Sequence, residues 1–162
     1  MTRLSLIALL ATAACAQAVP DRTSVIVHTN HINARVPQNF DEGTGARGVI
    51  LTYEAPAGEV SYSIYNHSFH GNALGYSVGF QPDLLTLRYG NISGGLVGVV
   101  SRYPDEPTAA LEDTNGFFGM AGVNLRYDLG RVHVGATVFP SAIRDGVYSF
   151  DALAMAYVGV NF

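Results

Sequence analysis

The sequence predicts an all-β chain folded as an eight-stranded antiparallel transmembrane β-barrel, and three observations predict it. Of its 162 residues 48% are hydrophobic and only 14% charged, against about a quarter charged in an ordinary soluble domain. No stretch reaches the roughly 18 consecutive apolar residues that a spanning helix needs. After Pro20 the apolar residues instead alternate with period two, broken by turn residues at regular intervals, which is the pattern of half-buried strands.

The elements follow in order. Residues 1–18 are expected to be an export signal, with Arg3 as the positive start, Leu4 to Ala14 as the apolar stretch and Ala16-Gln17-Ala18 as the cleavage site. Lipidation at Cys15 is the competing reading of that segment. Residues 19–162 are then a single barrel domain without cysteine, stabilised by strand pairing rather than disulfides.

Strands are expected at 24–34, 45–55, 58–68 and 71–81, one within 83–102, and at 116–128, 130–140 and 149–162. In the first, Ser24, Ile26, His28 and Asn30 share one face, while Val25, Val27 and His31 share the other. In the third, Val60, Tyr62 and Ile64 alternate with polar residues. Within 83–102, Asn91-Ile92-Ser93-Gly94 is read as a bulge rather than a turn, because an even strand count closes the barrel.

The sixth strand sets Ala121, Val123, Leu125 and Tyr127 against Met120, Asn124, Arg126 and Asp128. The seventh sets Val132, Val134, Ala136 and Val138 against His133, Gly135 and Thr137. In the last, Phe150, Ala152, Ala154, Ala156, Val158, Val160 and Phe162 face one way, and the opposite face is polar at both ends and apolar in the middle. A lumen lined this way suits a slender hydrocarbon chain or a packed plug of side chains. Arg126 and Asp128 are expected in a luminal charge network, and His133 as a hydrogen-bonded lumen residue. Tyr62, Tyr65, Tyr76, Tyr127, Tyr148 and Tyr157 are expected in aromatic girdles.

A net charge of −4 without a basic patch argues against nucleic acid. The five histidines lack zinc-site spacing, and no cofactor or metal is expected. Connections are short at Ala55 to Gly58, Gln81 to Asp83 and Asp128 to Gly130, and mostly long on the other side, at 35–44, 103–115 and 141–148. That asymmetry is the pattern of bacterial outer-membrane barrels, with long loops outward. The expected location is therefore the outer membrane, as a monomer among phospholipid and lipopolysaccharide.

In this topology polar residues converge on the external rim: His28 and His31, Asp41 and Glu42, and Asn66-His67-Ser68. Serine, histidine and carboxylate are the minimum set for acyl transfer. The run Asn39-Phe40-Asp41-Glu42-Gly43-Thr44-Gly45-Ala46-Arg47-Gly48, followed by Tyr62 to Phe69 and by Gly94 to Tyr103, resembles in order and spacing the lipid A palmitoyltransferase family (PagP). It also resembles short barrels of phage and bacterial genomes that share an Asn-Ser motif.

The resemblance implies a barrel that holds one phospholipid acyl chain and moves it to lipid A, using a rim histidine, aspartate and serine. Ser68 matches the family's serine, and His31, with His28 as the alternative, its histidine. The family's aspartate position holds His67, which leaves Asp41 as the nearby carboxylate. Hydrolysis of the acyl group is the related reaction. The alternative is a non-enzymatic small barrel that binds partners or divalent ions through its loops, including the acidic run Pro104 to Pro107.

Overall fold

A computed structural model describes residues 19–32, 47–66, 74–102, 117–140 and 151–162. The expected export signal, Cys15 and Tyr148 lie outside the described residues. Nine strands follow: β1 (Arg22–Ile32), β2 (Gly48–Ala55), β3 (Gly58–Asn66), β4 (Leu74–Pro82), β5 (Thr86–Tyr89), β6 (Ile92–Arg102), β7 (Phe117–Leu129), β8 (Val132–Pro140) and β9 (Ala152–Asn161). They pair antiparallel in the order β4-β3-β2-β1-β9-β8-β7-β6-β5, and a β4–β6 pairing closes the sheet into a barrel. Closure removes the open edges at which a sheet would pair with another chain.

The ring has eight positions because β4 and β5 share one. Tyr76 to Phe80 on β4 pair with Arg102 to Gly98, and Thr86 to Tyr89 on β5 pair with Gly95 to Ile92 of the same β6. This corrects the expectation of one bulged strand within 83–102. The chain turns at Gly90 and Asn91, with Gly90 at φ +56°, a left-handed conformation that costs glycine nothing because it has no Cβ. Between β4 and β5 stands the 3-10 turn Asp83–Leu85, where the Thr86 hydroxyl donates to the Pro82 carbonyl at 2.8 Å. The ring positions are even in number, whereas the described strands are nine.

The pairing registers fix the barrel's shape. One trace from Val25 runs through Val49, Ile64 and Tyr76 to Arg102. The opposite trace runs through Val158, Val134 and Tyr127 to Ile92. The two meet β6 at Arg102 and Ile92, ten residues apart. With ordinary strand rise and spacing, that shear gives a strand tilt of about 40° and a backbone radius of about 8 Å.

Cross-strand partners point to the same face, so the registers also sort inside from outside. The outward face is largely apolar, and Val25, Ile64, Val78, Leu96, Val100, Val123, Val138 and Val158 are exposed on it. Among the described strand residues the charged side chain on that face is Arg102, the last residue of β6, whose guanidinium lies 5.1 Å from the Phe117 ring centroid. Tyr62, Tyr76 and Tyr127 face outward as expected. Tyr65 and Tyr157 do not: their cross-strand partners Gly48 and Ile26 belong to the inner face, and Tyr157 is buried. Alternation decides the face of a tyrosine, and both share parity with luminal residues.

Both ends of the barrel chain, the tight turn joining β2 to β3 and the turn joining β7 to β8 lie at one end, here termed the terminal end. There the Phe162 N–H donates to the Asp21 carbonyl at 2.9 Å. At the opposite, far end lie Ile32, Asn66, Leu74, Arg102, Phe117, Pro140 and Ala152.

Candidate functional site

The lumen divides into two halves of different chemistry. At the terminal end it is filled by buried polar side chains. Glu59 on β3 holds two arginines at once: Arg22 Nη2 lies 2.8 Å from Glu59 Oε1, and Arg126 Nη1 lies 3.0 Å from Oε2. All three side chains are about nine-tenths buried. Arg126 Nε also donates to Asp128 at 3.3 Å, and Arg22 reaches the exposed Glu54 at 3.3 Å. A buried carboxylate shared by two guanidiniums satisfies charges that would be costly alone.

Above this floor a neutral network crosses the lumen. The Asn124 amide donates to Gln81 Oε1 at 2.9 Å, while its Oδ1 accepts from the Thr137 hydroxyl at 3.0 Å and the Tyr157 hydroxyl at 2.8 Å. On the β1–β9–β8 side, Ser24 Oγ lies 2.8 Å from His133 Nε2, and His133 Nδ1 lies 2.7 Å from Asn161 Oδ1. The Asn161 amide donates to the Gly130 carbonyl at 2.9 Å and to Asp128 at 3.3 Å. With its NH₂ engaged there, Asn161 offers His133 its oxygen. Nδ1 therefore carries the proton, and Nε2 accepts from Ser24.

His133 and Ser24 are 1% and 3% exposed, so this chain of bonds serves the packed floor. It matches the sequence expectation for His133, Arg126 and Asp128. Glu59 and Arg22 went unremarked in the sequence, though a signal existed: Glu59, Ser61, Ser63 and Tyr65 form a polar face opposite Val60, Tyr62 and Ile64.

Toward the far end the inner wall changes. Ile50, Val97, Val99, Met120, Leu153 and Met155 point inward and are half-buried, while Thr29, Ser101 and Phe139 beside them are buried. The apolar residues line β2, β6, β7 and β9, and serines line β3, β4 and the far end of β6. Phe139 is buried, its ring against Gly122, where a Cβ would collide with it.

Among the described residues the β7–β8 seam loses pairing toward this end. On the β7–β8 seam pairing stops at Val123 with Val138. Phe139 and Pro140 keep their β9 partners, but proline has no N–H to offer a ladder.

The histidines of β1 separate at a bulge. The register shifts between Ile26 and His28, inserting one residue and reversing the alternation beyond it. His31 therefore pairs with Leu153 and shares the inner face with Ile26 and Thr29, whereas His28 pairs with Ala156 and is exposed on the outer face. Ser68, His67, Asp41 and Glu42 lie outside the described residues, and of the expected rim group the structure describes His28, His31 and Asn66, whose N–H donates to the Arg47 carbonyl at 2.9 Å. Among the described residues no group of three His, Cys, Asp or Glu side chains could hold a metal ion. No protein family, curated protein or solved structure matches the chain, and the eight-stranded antiparallel barrel stands on its own strand pairing.

Proposed function

We propose that this chain is a bacterial-type outer-membrane barrel that takes one acyl chain of a membrane lipid into the far half of its lumen and transfers the acyl group. The observation that carries the reading is the asymmetry of the lumen: a floor of buried ion pairs below, and a half-buried apolar wall above. An acyl chain enters tail first, meets the apolar wall and stops at the charges, leaving its carbonyl at the far rim. The belt of exposed valine, leucine and isoleucine supports membrane residence, since a soluble monomer rarely shows so much contiguous apolar surface. At the derived tilt, the ten residues of β9 span about 25 Å, the height of the apolar band of such barrels. The described positions of the β7–β8 seam that lack pairing, at Phe139 and Pro140, are the sideways route proposed between bilayer and lumen.

The reacting groups proposed at the rim are His31, on the luminal face, and Ser68. His31 would take the proton of the attacking lipid A hydroxyl as its oxygen bonds the acyl carbon, and would return it to the lysophospholipid oxygen that leaves as the phospholipid ester bond breaks. Mass spectrometry of lipid A from cells with and without the chain tests this. Added acyl mass that disappears in His31→Ala and Ser68→Ala is expected. An unchanged lipid A profile alongside a folded barrel would leave the second reading, a non-enzymatic barrel acting through its loops. That reading is favoured by a floor in which Glu59, Arg126, Asn124 and His133 all find partners within the chain.

A further inference from the structure

The reading of the far lumen as an acyl-chain site leaves one feature of its wall unused. Ser63, Ser77 and Ser101 are successive cross-strand partners on β3, β4 and β6, so their hydroxyls project side by side into the lumen. The Ser63 and Ser77 hydroxyls bond each other. Ser101 Oγ is buried and has no hydrogen-bond partner. A buried hydroxyl without a partner is costly, and alanine would occupy the same place without that cost.

Position narrows what could satisfy it. Ser101 is the second-last residue of β6, close to the far rim. In the ring order β8 and β9 lie across the barrel from β3 and β4, and their inward residues there, Phe139, Leu153 and Met155, are apolar. A chain seated in this half meets hydrocarbon on one side and a row of hydroxyls on the other, near its outer end. The other unpartnered serine hydroxyl among the described residues, Ser93, neighbours Arg126 at the level of the charged floor, beyond a chain that stops there.

We infer that the preferred occupant is a hydroxylated acyl chain, with its hydroxyl within a few carbons of the carboxyl end and Ser101 Oγ as its hydrogen-bond partner. This rests on the acyl-chain reading of the far lumen, and the test separates the two. The full-length barrel, refolded in detergent micelles, is titrated calorimetrically with tetradecanoic acid and with β-hydroxytetradecanoic acid. The hydroxy acid is expected to bind about tenfold tighter. Ser101→Ala is expected to remove that preference and leave the affinity for tetradecanoic acid unchanged.

Equal affinities in the wild type would overturn this inference and leave the acyl-chain reading standing, whereas binding of neither acid would overturn both. A preference that survives in Ser101→Ala would overturn the assignment to Ser101. Heat-modifiable gel mobility reports folding of the variant, and Ser101→Cys, which keeps the shape and weakens the donor, replaces alanine if that variant fails to fold.

Discussion

Glu59 is the residue on which the terminal half of the lumen depends, because one carboxylate answers two buried guanidiniums. Glu59→Ala leaves Arg22 and Arg126 without their common anion and should cost about 3–5 kcal/mol in urea unfolding. Glu54→Ala removes a partner of Arg22 whose side chain is 64% exposed, and should cost less than about 1 kcal/mol. Equal losses in the two variants would show that the floor is not organised around Glu59.

Glycines give a second test at this scale. A Cβ at Gly159 would come within 2.6 Å of His133 Nε2 and closer still to the Thr23 carbonyl. Gly159→Ala should therefore push His133 away from Ser24 and destabilise by about 1–3 kcal/mol. Gly98, with nothing within 4 Å of its added Cβ, should tolerate alanine with no loss in the same unfolding measurement.

Among the elements, β1 shows how a single inserted residue changes chemistry. Its bulge carries no glycine or proline, so nothing in the run Ile26-Val27-His28 announces it, and simple alternation puts His28 rather than His31 with Ser24 and Ile26. The geometry reverses that pairing beyond Val27. With cysteine at each position in turn, a lipid-phase quencher should reach a label at position 28 and not at position 31. Deleting Val27 should leave both results unchanged, because His28 then follows Ile26 in regular alternation against Ala156 and Tyr157, and an exchange would mean that Val27 is not the inserted residue. The β4–β5 arm teaches the same lesson differently: Gly90-Asn91 is a turn signal visible in the sequence, but an argument from even strand number hid it. Two short strands share one ring position because both pair with β6, a relation that no local signal encodes.

For the whole molecule, the floor makes the barrel a cup rather than a pore. Ion pairs and a four-residue hydrogen-bond network around Asn124 occupy the terminal half, and an eight-position ring of about 8 Å radius has little room beyond its own side chains. Purified barrel in planar bilayers should show no steady conductance, and a stable open channel would refute the sealed floor. The apolar belt should keep the chain with the membrane pellet through alkaline carbonate washing. Release into the aqueous fraction would remove the basis for the acyl-chain reading.

The alternation of apolar and polar residues determined by itself that the chain forms strands, which residues face outward on most of them, and that Arg126, Asp128 and His133 face the lumen. Side-chain direction in a strand is a local property with period two, so one segment suffices to read it. Only the tertiary structure decided which luminal residues meet. Glu59 finds Arg126 across 67 residues of chain and Ser24 finds His133 across 109, contacts set by closure and by a shear that no single strand contains. The inward turn of His31 and the unpartnered hydroxyl of Ser101 belong to the same class, because each depends on what the neighbouring strands bring opposite.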